Sequence, residues 1–559
     1  MEMKYKMTNI PGLKFVALSG TTAVTENLYL YEYSNDMIIV DCGVGFPDQD
    51  MLGVDLVIPD FSYIKENAKK LRGILISHGH EDHLGALPFL LNEVNAPIYA
   101  TKLVAGFIEE KMDDYQVKKY DLRIIDPEKD VISLGVFKIS PFRVSHSVPD
   151  GVGFCIDTPE GKVFHIADYK FDWTPVDGRP FDVFKLSSLA SGGVLALASD
   201  CLGATTPGYT ESELTIETRL EEIFRKAKRQ IFFTTISSNI SRMQQTLNVA
   251  LRLGKKVVFV GRSIERKAEI AKELGYLHYP DNLVVRGKEI KKLSLDKVIY
   301  IVSGSYGQPG SSLYRIALGE HERYAVGPAD VVVFSSDPAP PGSKAIVDFV
   351  VDKLIEGNIE VHYYDMQEDL HVSGHGSEKD IEMLFALLKP NYFLPIGGTV
   401  RYMRAYSLIA QSMGVAANKI FELGAGEMVE FKGKSARVSG KIPVKNVLVD
   451  GLGIGDVGSV VLRDRQRLAK DGVAIVLIQI DKTNNKLMSD PEVISRGFVF
   501  QKNERDFLIN TGRELKKRIE KRQKVDVHTA RDTAIDFLER FFFERTGRRP
   551  MILPVVVEI

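Results

Sequence analysis

Cysteine is nearly absent. Only Cys42, Cys155 and Cys201 occur in 559 residues, widely spaced and odd in number. That excludes a disulfide framework or a Cys-pair zinc motif, and it fits a reducing compartment. Long apolar runs are missing too, so no stretch reaches membrane-spanning length. Met1 to Gly12 is polar and has no apolar signal core, so a cytoplasmic location without a membrane partner is expected. Charge of one sign is not in excess: the formal net charge is -2. A nucleic-acid partner would therefore have to be held by local basic patches. Repeats and low-complexity tracts are also missing. With 44% hydrophobic and 26% charged residues, the chain reads as a soluble globular protein of roughly three to five domains.

Histidine is scarce as well, 11 in all, yet three of them fall in His78-Gly-His80-Glu-Asp82-His83. The apolar run Ile74 to Ile76 before them reads as a buried strand that ends in a Ser/Gly turn. His78 and His80, two apart on extended or tightly turned backbone, can aim both imidazoles at one point. Asp82 and His83 follow where a helix begins. Imidazole and carboxylate suit zinc, and a catalytic zinc site needs about three protein ligands and a position for water.

Further carboxylates and histidines follow strand-like runs. Met37–Val40 leads to Asp41, a carboxylate at a strand end, where α/β sites usually form, that could equally be a turn former. Val136–Val144 leads to His146, and a lone His at a strand end is more often structural than a ligand. Val163–Ala167 leads to Asp168, and Val194–Ser199 to Asp200. From about residue 215, strands and helices alternate and helices stop at Gly254 and Gly275, the pattern of a separate doubly wound, mostly parallel α/β domain. The loop Ser303–Ser312 has the exposed amides and hydroxyls that can cradle phosphate, though a Gly-rich loop alone is a weak signal. His371-Val372-Ser373-Gly374-His375 is a second polar cluster, suited to an anionic group or to proton transfer. Asp450 to Gly458 is a Gly-rich connector without the strand–helix frame of a nucleotide fingerprint. The last ~90 residues form a small α+β unit. Its basic helix face, Lys516–Lys524, reads as solvated rather than as a nucleic-acid contact. Asp48, Asp50 and Asp450 could hold a structural cation, but an ordinary solvated loop is the simpler reading.

SHGHEDHLGALPFLL, SHSVPDGVGF, DYKFDWTPVDG, SSNISRMQQ, GRSIERKAEIAKELGYL, GSYGQPGSSLYRIA, HVSGHG, DGLGIGDVGSVVLRDR, ISRGFVF and RRPMILPVVVEI occur in this order. Over nearly its whole length the chain resembles the ribonuclease J family of the metallo-β-lactamase/β-CASP superfamily. The resemblance implies an αββα metallo-β-lactamase sandwich in two parts, 1–214 and 371–438, with a β-CASP insert at 215–370. A linker at 439–466 and a C-terminal α+β oligomerisation domain at 467–559 would follow. It implies that His78, His80, His146 and Asp168 hold one zinc, and that Asp82, His83 and bridging Asp168 hold another, with Mn2+ or Mg2+ as substitutes. Asp41 and Asp200 would support these ligands from behind, and His371 to His375 would form the substrate-phosphate pocket. Asp82 would handle the attacking water and His375 the leaving 3′ oxygen. The implied activity is 5′-to-3′ exonuclease action on 5′-monophosphorylated RNA, with endonuclease action, in RNA maturation and decay. The expected partners are RNA and other subunits, as a homodimer, a homotetramer or a hetero-oligomer with a paralogue.

Four segments depart from the family pattern. Its final zinc ligand is a His in Pro-x-His-Gly-Glu-x-Arg; here the segment is Pro395-Ile-Gly397-Gly-Thr399-Val-Arg401, and glycine cannot coordinate. Cys201-Leu-Gly203 stands for Ser-Thr-Asn and Pro341-Gly-Ser343 for Pro-Gly-Asn, and the N-terminal turn is Gly20–Glu26. Two readings follow: an active ribonuclease with a weakened second metal, or a low-activity RNA-binding subunit that partners an active paralogue. A small-molecule metallohydrolase is a third class, against which the inserted and C-terminal domains argue.

Overall fold

The computed structural model describes residues 11–48, 50–336, 343–364, 366, 370–433, 435–451, 453–498, 504–522 and 525–559. The Pro341-Gly342 departure lies outside them. The described residues form two compact units, 11–46 with 56–447 and 47–55 with 448–559.

The larger unit contains the expected αββα sandwich. One sheet has eight strands in the order Ser435–Lys441, Glu427–Lys432, Leu13–Ser19, Leu28–Tyr33, Asp36–Val40, Leu71–Leu75, Pro97–Ala100 and Asp121–Ile124. The other has six, in the order Tyr392–Ile396, Ala196–Asp200, Gly161–Ile166, Val152–Thr158, Phe137–Arg143 and Ile132–Leu134. Phe15, Tyr31 and Ile38 of the first sheet meet Ile139, Phe154 and Leu394 of the second in one core between the layers. The outer face of the six-stranded sheet is covered by Ile381, Leu384, Phe385, Met403 and Tyr406, from the helices Glu378–Leu388 and Val400–Ser412. Helix Glu378–Leu388 starts where its apolar spacing meets a reciprocal Ser377/Asp380 cap.

The chain leaves the six-stranded sheet after Asp200 and re-enters it at Tyr392. Between them lies a wholly parallel sheet ordered Lys256–Val260, Val298–Val302, Ile231–Thr234, Val331–Phe334 and Glu360–His362. Adjacent residues of one strand point to opposite faces: Phe232 packs with Val347 and Val350 of helix Ser343–Glu356, whereas Phe233 meets Phe224 of helix Leu214–Lys226. Helices on both faces of a parallel sheet are the doubly wound arrangement expected.

Inserted and sandwich domains are joined by buried ions. Arg242 and Lys170 are both 0% exposed and share Glu213, 2% exposed; Arg242 Nη2 donates to Oε2 at 2.7 Å and Lys170 Nζ to Oε1 at 3.4 Å. Breaking such a pair from one side costs about 3–5 kcal/mol, because it strands a charge in low dielectric. Burial alone would raise the Glu213 carboxyl, but Arg242 and Lys170 override it and hold it at about 2 instead of 4.5. A folded-state value below the unfolded one means the contribution is present above pH 4.5 and is lost as pH falls through about 2. The stability gap between wild type and Glu213→Gln is therefore expected to narrow across that window. Urea unfolding followed by circular dichroism at stepped pH measures it; a gap independent of pH would show that the ion pair contributes nothing.

The smaller unit is built on Val473–Asp481, with Glu492–Arg496 antiparallel on one side and Met551–Glu558 parallel on the other. Ala474, Val476, Ile478 and Ile480 alternate into a core with Leu515, Ala534, Leu538 and Phe542 from the helices Glu504–Ile519 and Val527–Thr546. The stretch read as a linker, 439–466, contains the strand Val447–Asp450 and the start of a helix, Ser459–Asp471. Asp450 is paired with Arg465. On the basic face, Lys516 pairs with Asp490 and Lys517 with Glu514.

Candidate metal centre

Strand ends make the site. Asp36–Val40 and Leu71–Leu75 run parallel in one sheet; Gly161–Ile166, Ala196–Asp200 and Tyr392–Ile396 run parallel in the other. Their C-terminal ends deliver Asp41, His78, Asp168, Asp200 and Gly397 to one edge of the sandwich, the usual place for an α/β site. Helix Glu81–Leu84 adds Asp82 and His83. Gly43 lets the chain pass over this short helix, since a Cβ there would stand 1.5 Å from the Asp82 carbonyl oxygen.

Asp168 is the hub. Its carboxylate oxygens lie 3.4 Å from His83 Nε2, 3.5 Å from His78 Nε2, 3.6 Å from His146 Nε2 and 3.8 Å from His375 Nε2. Asp82 Oδ2 is 3.6 Å from His83 Nε2, and the His80 ring centroid is 4.9 Å from that of His146. Three ligand sets close to within 4.8 Å among the described residues: His78, His80 and His146; His78, His83 and Asp168; His146, Asp168 and His375.

The opposite ring nitrogens are tied down. His83 Nδ1 donates to Asp41 Oδ2 at 2.8 Å. Ser77 Oγ donates to the same carboxylate and accepts from His78 Nδ1 at 2.9 Å. His146 Nδ1 donates to the Gly374 carbonyl at 2.7 Å, and His375 Nδ1 to Asp200 Oδ2 at 2.7 Å. Each bond leaves Nε2 as the ring nitrogen that faces Asp168, as in histidine metal sites with an outer carboxylate or carbonyl. His78 Nε2 is buried with no hydrogen-bond partner. A buried imidazole nitrogen is not left orphaned without cause, so the residues fit a cation. Asp41 does double duty: it turns the chain at φ +61° and orients two imidazoles.

The electrostatics agree with the geometry. Burial, then the neighbouring imidazoles, push His78 and His80 well below the usual value, and burial brings His146 to about 4; neutral imidazole is the form that ligates. Burial raises Asp82 to about 6. At His375 burial is outweighed by Asp200 and Asp168, which raise it to about 9.

A cavity of about 650 Å3 opens over the centre. His80, Asp82 and Asp168 line it, with His371, Ser373, Gly374 and His375 from the second polar cluster. Tyr306, from the Gly-rich loop, and Arg401 also reach it, while Ser311 of that loop caps the next helix. Val372 is buried beside this group. Gly397 lies on the cavity wall, and its place holds no side chain. Several participants carried no signal in the sequence. Asn27 Nδ2 bonds His83 Nε2 at 3.0 Å, Ser147 Oγ bonds His80 Nε2 at 3.0 Å, and the Gly374 carbonyl holds His146.

Three family models match the chain: metallo-beta-lactamase superfamily over residues 21–230, ribonuclease J beta-CASP domain over 228–354, and ribonuclease J C-terminal domain over 460–559. Ribonuclease J2 of Bacillus subtilis (strain 168) is 36% identical over 559 residues, 99% of this chain and 100% of the relative. Ribonuclease J 1 of Streptococcus pyogenes is 34% identical over 544 residues, 97% of each chain. Ribonuclease J 2 of Staphylococcus aureus (strain MRSA252) is 32% identical over 550 residues, 98% of each. The fold also resembles a solved protein of unknown function from Enterococcus faecalis V583, with TM-score 0.53 and 14% identity over 75% of this chain and 100% of that one.

Proposed function

The chain belongs to the ribonuclease J family, and from that premise we propose that it is a zinc-dependent ribonuclease that degrades 5′-monophosphorylated RNA from the 5′ end and also cuts internally. The observation that carries this is the Asp168 hub: one carboxylate within 3.8 Å of four imidazoles, at the floor of a cavity that also holds His371 to His375. His78, His80, His146 and Asp168 would hold one zinc; Asp82, His83 and Asp168 would hold a second, weaker one. Bound zinc would supply Lewis acidity and neutralise charge as the phosphorus becomes five-coordinate. Mn2+ or Mg2+ could serve in its place.

Asp82 faces the cavity and is placed to orient the attacking water and take its proton. His375, with Nδ1 fixed by Asp200, has Nε2 free to give a proton to the leaving 3′ oxygen. Asp200, bonded to Nδ1, favours the protonated ring. Residues 371–375 would bind the 5′-terminal phosphate and so set the register of exonuclease cleavage. The domain division proposed is 1–214 with 371–438, the insert 215–370, a linker 439–466 and an oligomerisation domain 467–559.

A second reading, a low-activity RNA-binding subunit in a hetero-oligomer, is favoured by Gly397 alone. Purified protein separates the two. Metal content and the rate on 5′-monophosphorylated RNA are compared with Asp82→Ala and His80→Ala. The wild type is expected to exceed both variants by roughly 100-fold or more, the scale of losing one electrostatic contact in a closed site. A wild-type rate equal to theirs leaves only the binding subunit.

A further inference from the structure

The buried ions between the domains reach further than each other. Lys170 Nζ also donates to the Ser373 carbonyl at 3.1 Å. Arg242 Nη1 lies 3.4 Å from the Leu370 carbonyl, and it bonds Ser335 Oγ, which itself donates to Leu370 O at 2.8 Å. The next carbonyls are held as well, Gly374 by His146 at 2.7 Å and His375 by Thr210 at 2.8 Å. The loop's acceptors are thus turned into the protein. Its amides are treated oppositely: the backbone N–H groups of Val372, Ser373 and Gly374 have no acceptor among the described residues. His371 Nδ1 is likewise buried without a partner. Successive free amides beside two buried cations make an anion-binding concavity.

We propose that Arg242, Glu213 and Lys170 are positioning residues for the substrate's terminal phosphate: the cations pull the carbonyls of 370 and 373 inward and leave the amides of 372–374 free for phosphate oxygens. Glu213 neutralises and aligns the two cations. Arg242 comes from helix Ile240–Arg252 of the inserted domain, and Lys170 from the sandwich. The phosphate loop is therefore formed only when both domains are in place, so the insert completes a site whose metal ligands it does not supply. Arginine suits this position because its planar fork sets Nη2 on Glu213 while Nη1 reaches the Ser335–Leu370 pair.

The inference rests on the ribonuclease reading only for the identity of the phosphate, and its test does not require turnover. Uridine 5′-monophosphate and uridine are titrated calorimetrically into the metal-loaded full chain. The variants are Arg242→Lys, Lys170→Met and the milder Ser335→Ala, which keeps every charge. The wild type is expected to bind the monophosphate at least roughly tenfold more tightly than uridine, as charge-assisted bonds from several amides require. Arg242→Lys and Lys170→Met should lose most of that gap and Ser335→Ala part of it, with uridine affinity and metal content unchanged. On RNA, kcat/KM should fall for 5′-monophosphorylated ends through KM and stay level for 5′-hydroxyl ends. An unchanged gap in variants with the wild-type circular dichroism spectrum and metal content overturns the proposal, as does a wild type that binds both probes equally. If Arg242→Lys does not fold, Lys170→Met and Ser335→Ala decide. A wild type that turns over no RNA overturns the ribonuclease reading instead, and the titration still judges the loop.

Discussion

Asp168→Asn is expected to strip the centre of metal and to slow RNA hydrolysis by at least roughly 1,000-fold, the upper end for loss of one preorganised electrostatic contact. Asparagine keeps the shape and the buried volume but removes the charge that four imidazoles share at 3.4 to 3.8 Å. Without that carboxylate, the buried histidines lose the charge they converge on, and Asp82 alone remains beside His83. In the metal-free protein, Asp168 is also the largest influence raising His83 against burial. On the proposed ligand sets both cations would share this one side chain, so both should be lost together. Metal analysis of dialysed protein, alongside the rate on 5′-monophosphorylated RNA, reads both effects. A variant that keeps the wild-type metal content would show that Asp168 is not the shared ligand.

Local pattern carried the elements and much of the site. The His78–His83 cluster is legible because three scarce residues crowd one strand end. The strands Tyr392–Ile396, Val298–Val302 and Val331–Phe334 are legible because their apolar runs are short and bounded by turns. The strand Val152–Thr158 escapes the same reading: its Gly153 and Asp157 break the run, and its burial comes from neighbours on both sides. His146 shows the limit of base rates. Alone at a strand end it reads as structural, and only the fold sets its Nε2 3.6 Å from Asp168. The helix Ser459–Asp471 was hidden by the glycines before it. The groups that orient the ligands were not legible at all: the bonds of Lys170 to Ser373 and of His146 to Gly374 span 203 and 228 residues. No periodicity encodes pairs so far apart; they meet only because the chain returns to the sandwich after the insert.

Gly397→His is expected to raise the metal content from about one equivalent per chain toward two, because a three-ligand site lacks the fourth donor that closes a tetrahedral one. It should also speed RNA hydrolysis by roughly tenfold or more if the second cation shares in neutralising the transition state. The structure leaves room for this side chain. A Cβ at Gly397 would meet only Asp200 Oδ1, at 3.5 Å, an ordinary contact, and the residue lines the cavity beside Asp82 and Asp168. The obstacle is the backbone: φ is +70°, and a residue with a Cβ there costs about 1–2 kcal/mol. Asp200 is the second constraint, because it already accepts from His375 and from the Leu202 amide. A new imidazole near it must give its lone pair to the metal rather than compete for that carboxylate. Gly397→Ala separates strain from ligation: it should lower the melting temperature like Gly397→His but leave the metal content at the wild-type level. If Gly397→His binds no more metal than Gly397→Ala, the vacancy at 397 is not what limits the second site.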